Sequence, residues 1–446
     1  MLERQSLDAL AEALELLEGQ FAHLPEAGGA GFQPAAGLQP GAGGACVSSA
    51  LSSVLQDVAC RLGDNYPYFH PLYAGQMLKP PHPIARAAYA LATWINPNNH
   101  ALDGGRASTA MEREAVAHIA AMFGWDAHLG HLTGGGTMAN LEALWVAGQL
   151  CPGKKIVASA QSHYTHQRIT GVLRLPFEKV PTDTRCRIDP AALEHMLAGG
   201  DIGCVVATLG TTATGSVDPL PEILALRERY QFRLHIDAAY GGYFTLADNL
   251  APETRAAFDR AVEADSIVID PHKHGLQPYG CGCVLFRDPQ AGALYKHDSP
   301  ATYFTSDEPH LGEISLECSR PGASAVALWA TMRLLPLVRG GAFAQSLEAC
   351  RRAALEFHRR LAADPRFLVP FAPQLDIVVW AHRSKSAEEI FQQAARRNLH
   401  LAKARLPGSY FGLPQDEVLA LRSVLMKPEH EPWLDRIWEI LDQVSN

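Results

Sequence analysis

A chain of 446 residues, 47% hydrophobic and 19% charged, can bury a large core and exceeds one ordinary domain. Its formal net charge of −9, with no basic arm, excludes a protein built to sit on nucleic-acid phosphates, and no apolar run approaches the length of a bilayer. The opening Met-Leu-Glu-Arg-Gln holds no apolar signal core and the nine cysteines are scattered without a framework, so a reducing, cytoplasmic setting is expected.

Leu7, Leu10, Leu14 and Leu17 recur at helical spacing, which predicts an amphipathic helix over 3–24. One apolar stripe on so short a helix needs a surface to pack on. Residues 26–45 are Gly, Ala and Pro with almost no charge, so 1–45 reads as an N-terminal helix and flexible arm that docks on a partner subunit. From Asn65 to Met77 the chain turns aromatic, with Tyr66, Tyr68, Phe69 and Tyr73 among prolines that forbid a regular helix. Such a segment is either a packed surface loop or the irregular wall of a pocket. Helical patterns follow over 84–94 and 111–123.

Next comes His131-Leu132-Thr133-Gly134-Gly135-Gly136-Thr137-Met138-Ala139-Asn140. Three glycines free the backbone to curl, and Thr137 is expected to cap a helix starting at Met138. The unpaired N–H groups and positive dipole of that helix start suit a phosphate. The stretch lacks the spacings of the dinucleotide fingerprint and of the nucleoside-triphosphate loop.

A βα rhythm follows, with strands expected over 156–160, 204–209, 233–237, 266–269 and 283–286 and a helix over 220–230. This alternation predicts a parallel sheet covered on both faces. Two strand ends carry the chemistry. Asp237 closes one, and Asp270-Pro271-His272-Lys273 follows the next. A lysine directly after a buried strand leaves water early and suits a nucleophilic amine, although a plain loop cation is the alternative. Together the carboxylate and the amine would face one crevice at the carboxyl ends of the sheet. His163/His166 and His272/His274 are spaced like metal pairs, but no carboxylate or cysteine completes a ligand set, so no metal is expected.

Residues 301–307 read as a polar loop, and beyond Ser319-Arg320-Pro321-Gly322 the pattern changes. Helices are expected over 323–335, 343–362, 387–397 and 433–444, with strands over 376–381 and 420–426. The chain therefore divides into a large domain over 46–320 and a small α/β domain over 321–446.

From about His70 onward these residues resemble the group II pyridoxal-phosphate decarboxylases, which share the aspartate aminotransferase fold. The likeness rests on Thr-Gly-Gly-Gly-Thr-Met-Ala-Asn (133–140), Ser-His-Tyr (162–164), Gly-Thr-Thr (210–212), His-Ile-Asp-Ala-Ala-Tyr (235–240) and Asp-Pro-His-Lys (270–273), five motifs in order. It implies a fold-type I enzyme with a mostly parallel seven-stranded sheet, pyridoxal 5′-phosphate as cofactor, and decarboxylation of an L-amino acid by a homodimer with shared active sites. By that resemblance Lys273 would carry the cofactor, Asp237 would pair with the ring nitrogen, and His163 would stack on the ring. Gly135, Gly136 and Thr137 would seat the phosphate with help from His272, while Thr212 and Ala239 would lie beside the ring. Tyr303 falls where the family has a mobile-loop tyrosine that acts in the active site, and it or His272 would return a proton to the α-carbon.

Three positions depart from the family pattern: Met138 stands where many members have glutamate, Met111 where threonine is usual, and Asp270 where aromatic decarboxylases have asparagine. Asp-Pro-His-Lys, Ala-Thr-Tyr-Phe-Thr-Ser (301–306) and Leu-Arg-Ser-Val-Leu-Met (421–426) look more like the compact archaeal-type tyrosine/aspartate decarboxylases. Arg422 is a candidate for gripping a substrate carboxylate, with a strand-end surface cation as the alternative. The aromatic segment, Tyr73 included, favours an aromatic substrate over an acidic one. The same electron sink also serves carbon–carbon lyases and aminotransferases.

Overall fold

The computed structural model describes residues 49–295 and 310–446, together with isolated positions between 8 and 24. The arm over 26–45, most of the helix expected over 3–24, and Tyr303 lie outside the described residues. Seven strands form the main sheet: β1 Leu129–Thr133, β2 Lys155–Ser159, β3 Phe177–Val180, β4 Ile202–Thr208, β5 Arg233–Asp237, β6 Ser266–Ile269 and β7 Gly282–Phe286. Their order is β1-β7-β6-β5-β4-β2-β3, and β7 alone runs antiparallel to its neighbours. The sheet is thus mostly parallel, as expected.

Burial explains which strands were legible. Every residue of β4, β6 and β7 is buried, and a strand covered on both faces needs the continuous apolar run those segments carry. The pattern missed β1 and β3. β1 interrupts its apolar run with Gly130 and His131, and β3 is an edge strand whose Glu178 and Lys179 are exposed. The helix Gly136–Leu150 packs across β6 and β7, and Leu102–Met122 packs on β1. That second helix begins nine residues before the 111 expected, because Gly104 and Gly105 hide its first turns and the chain kinks at Gly105.

A second sheet holds β8 Phe367–Leu368, β9 Ile377–His382, β10 Ala402–Pro407 and β11 Glu417–Val424, in the order β10-β11-β9-β8, all antiparallel. Helices Ala342–Ala363, Ala387–Ala395 and His430–Ser445 bury their apolar stripes against one another and this sheet, around Phe357, Trp380, Ile390, Leu421 and Ile437. The helix Gly322–Leu334 packs instead on Pro83–Thr93 and Leu102–Met122. For the chemistry the decisive feature is register: β5 and β6 lie side by side in parallel, with Asp237 opposite Val268, so both carboxyl ends open on one cleft.

Candidate active site

Asp237 ends β5 almost fully buried, at 5% exposure. Its Oδ2 lies 2.9 Å from Nε2 of His166, and its Oδ1 accepts the N–H of Ala239 at 3.1 Å. Burial pushes this carboxyl up, but the hydrogen bond and charge of His166, the Lys273 charge and the Ala239 N–H together outweigh it and hold Asp237 well below the usual carboxylate range. A buried carboxylate is thereby kept ionised. Across the crevice, the turn after β6 sets Lys273 Nζ 3.0 Å from Oδ2 of Asp270. Pro271 stops the strand, and the Lys273 N–H closes the turn on the Asp270 carbonyl at 3.0 Å.

The glycine run makes the third wall. The helix starts at Gly136, not at Met138, so Thr137 is its second residue and not its cap. Gly135 takes the N-cap position with φ of +143°, a conformation closed to other residues, and no side chain caps the helix there. The N–H groups of its first turn are therefore open to a ligand, as an anion seat requires. Gly136 is forced by proximity: a Cβ there would lie 2.8 Å and 3.0 Å from the two Asp270 carboxylate oxygens. On the outer side, Glu317 accepts the Gly134 N–H at 2.9 Å.

These parts line a cleft of about 530 Å³, within the range of small-molecule sites. Its walls include Gly135, Gly136, Thr137, His163, Thr212, Asp237, Ala239, His272 and Lys273, so nine of the residues expected from sequence come together. His163 Nδ1 lies 2.6 Å from the Thr165 hydroxyl, and burial pushes its imidazole below the ordinary value. His272 stacks on Tyr279 with ring centroids 4.6 Å apart and is likewise pushed down by burial.

Two expected residues lie elsewhere. Tyr73 is buried in the aromatic segment, its hydroxyl accepting the Gln76 N–H, and it does not line the cleft. Arg422 sits within β11 at 4% exposure, where Nη1 donates to the Gly75 carbonyl at 3.2 Å. It is no surface cation. Its Nε and Nη2 have no partner among the described residues. Tyr240, a wall of the cleft, connects the two regions by donating its hydroxyl to Asp376 at 2.6 Å.

Sequence reasoning did not assign His166, Asp270, Glu317 or Tyr240 to the site. His166 carried a signal, its spacing from His163, but that spacing was weighed only for metal binding; His163 lines the cleft just ahead of the helix Thr165–Val172, and His166 in its first turn stands behind the wall against Asp237. Asp270 was visible as a departure from asparagine. Glu317 had no signal, since only folding brings it to Gly134, 183 residues earlier.

The family model for the pyridoxal-dependent decarboxylase conserved domain matches residues 64–383. A probable L-aspartate decarboxylase of Halobacterium salinarum is 33% identical over 263 residues, 58% of this chain and 70% of that one. A probable L-tyrosine/L-aspartate decarboxylase of Methanopyrus kandleri is 26% identical over 393 residues, 83% of this chain and 95% of that one. Among solved structures, Oryza sativa TDC with PLP and tryptamine superposes with a TM-score of 0.78 at 18% identity, covering 98% of each chain.

Proposed function

Because this chain belongs to the pyridoxal-dependent decarboxylase family, we propose that it removes the α-carboxylate of an aromatic L-amino acid as carbon dioxide, acting as a homodimer. Its cofactor is pyridoxal 5′-phosphate, and the residues present fit that group. One observation carries the reading: an ionised, buried Asp237, held by His166 at 2.9 Å, shares a cleft with the Lys273 amine and an uncapped helix start. Those are the three handles a phosphorylated pyridine aldehyde offers.

Bound there, pyridoxal phosphate supplies an electron sink for the pair left on the α-carbon when carbon dioxide departs. Asp237 would hold a proton at the ring nitrogen, and the bonds from His166 and Ala239 fix its carboxylate for that task. Lys273 is the amine that carries the cofactor. His163 would stack on the ring, with Thr212 and Ala239 beside it, since all three line the cleft. The first-turn N–H groups from Gly136 and Thr137 would hold the phosphate, with His272 alongside. Arg422 does not line the cleft, so no substrate role follows from its two N–H directions without a partner among the described residues. Tyr303, on the family resemblance, returns a proton to the α-carbon.

The side-chain preference comes from the aromatic composition of the segment around Tyr73; Tyr66, Tyr68, Tyr73 and His400 cluster with neighbouring rings 4.8–6.4 Å apart, outside the walls of the cleft. Two exposed apolar stripes support the homodimer. Val54, Val58 and Leu62 recur every four residues along Ser49–Leu62, and Leu91, Trp94 and Ile95 end a second helix. The test offers tyrosine, DOPA, tryptophan, aspartate and glutamate to the loaded full-length protein and scores amine and carbon dioxide. A tenfold or greater kcat/KM advantage for the aromatic substrates is expected. An equal advantage for aspartate or glutamate reverses the side-chain assignment.

A further inference from the structure

We propose that Asp270 receives the cofactor's phosphate together with a proton shared between its carboxyl and a phosphate oxygen, so that cofactor affinity in this protein falls as pH rises. The inference rests on the cofactor reading above and adds to it the ionisation of the bound group.

It begins with what surrounds the phosphate seat. The helix start at Gly136 offers N–H groups, but the side chain that overhangs it is acidic: the Asp270 oxygens lie 2.8 Å and 3.0 Å from where a Gly136 Cβ would stand. Asp270 is 3% exposed, and while Oδ2 faces Lys273, Oδ1 has no hydrogen-bond partner among the described residues. A buried carboxylate oxygen with nothing to accept from, aimed at an anion seat, calls for a proton when the anion arrives. A second carboxylate, Glu317, holds the neighbouring Gly134 N–H.

No other charge on the described walls relieves this. The groups facing Asp270 on its own turn are Lys273 and His272. Cys281 just ahead of β7 and Cys283 within it face Asp270, as do Tyr243 and Tyr279 from the flanking segments and His163 from across the cleft. Burial pushes the thiols and phenols up, leaving them neutral, and pushes both imidazoles down, away from the cationic form. Lys273 is the sole lysine or arginine among the described wall residues, and it is committed to the cofactor's carbonyl carbon. A phosphate monoester has its second ionisation near pH ~6, so at neutral pH a dianion would meet an anionic carboxylate. Two such groups in reach share one proton, as a short O–H···O bond between them.

The experiment uses pyridoxine 5′-phosphate, which lacks the aldehyde and so leaves Lys273 out of the reaction, with the full-length protein freed of cofactor. Calorimetric titration at about pH 8 in buffers of different ionisation enthalpy counts protons. Close to one proton taken up per ligand is expected, with affinity falling about tenfold per pH unit where uptake is complete. Asp270→Asn abolishes the uptake and binds more tightly than the parent at the high-pH end, whereas Glu317→Gln keeps the uptake. The phosphorus resonance of ligand bound to the unmodified protein gives a second readout that needs no variant, and it titrates at higher pH than the free ligand. Binding without proton uptake, a bound resonance fixed as the dianion, or uptake lost in Glu317→Gln and kept in Asp270→Asn overturns the proposal and leaves the cofactor reading standing. If neither pyridoxine 5′-phosphate nor pyridoxal 5′-phosphate binds, the cofactor reading falls as well.

Discussion

His166 gives the sharpest test of how the site holds its charge. It is fully buried, and its one hydrogen bond through Nε2 reaches Asp237 Oδ2 at 2.9 Å. His166→Ala removes a donor from a buried carboxylate that keeps only the Ala239 N–H and the more distant Lys273 charge. A hydrogen bond to a charged group is worth ~1.5–3 kcal/mol, and more when its loss strands a buried charge. If that loss falls on the state in which Asp237 holds the ring-nitrogen proton, at ~1.4 kcal/mol per decade the rate drops by about 10- to 150-fold. His166→Gln keeps a donor of similar reach and recovers about half of that free energy. The assay is kcat and KM on the preferred substrate, with cofactor content measured by absorbance to separate lost turnover from lost cofactor. The fall belongs in kcat, since His166 does not line the cleft. A His166→Ala protein with full cofactor and a kcat within threefold of the parent refutes the reasoning. The acid limb of stability must move too. Asp237 is held below its unfolded value, so its contribution is present above pH ~4 and lost as pH falls through the folded value; His166→Ala moves that loss to higher pH.

Lys273→Ala abolishes the visible band of the lysine-bound cofactor together with turnover, and borohydride reduction followed by peptide mapping labels Lys273 in the parent; label on another lysine withdraws the assignment. Mixing inactive Lys273→Ala chains with inactive Tyr303→Phe chains regenerates activity, because one site of each heterodimer has both groups; heterodimers without activity exclude a shared site. Lys427 is buried under Tyr73, with Nζ 2.6 Å from the Tyr73 carbonyl oxygen, and burial lowers it from 10.5 to about 7. The unfolded chain therefore binds a proton that the folded one lacks between about pH 7 and 10.5, and stability rises with pH across that window. At ~1.4 kcal/mol per pH unit the effect reaches about 5 kcal/mol at most. Lys427→Met flattens the rise in the urea midpoint between pH 7 and 10, and a slope parallel to the parent's counts against it.

What the chain declares in advance is its buried parallel strands and the residues at their ends. Ser266-Ile267-Val268-Ile269 is apolar because both faces are covered, and the Asp-Pro that stops it lifts Lys273 into the cleft. The five motifs are legible for the same reason, since each is a strand end or helix start where backbone geometry restricts the residue type. Less legible are contacts between elements. Asp270 over Gly136, Glu317 on Gly134 and Tyr240 on Asp376 all depend on distances that no local spacing encodes. The helix start was misplaced by two residues because a glycine at φ +143° served as the cap where threonine has the better propensity. The surface-cation alternative for Arg422 fails because the strand starts at Glu417, ahead of the expected 420, and carries Arg422 into the interior.

Two described residues distant in sequence from the element that starts the phosphate cradle, Tyr295 and Glu317, are tied to it. On one side the Tyr295 hydroxyl donates to Glu142 at 3.0 Å, a residue of Gly136–Leu150 two turns in from its start. On the other, Glu317 clasps Gly134 just ahead of the same helix. The start of this helix is thus held from both sides before any ligand arrives, and a substitution at Glu142 or Glu317 slackens one side alone.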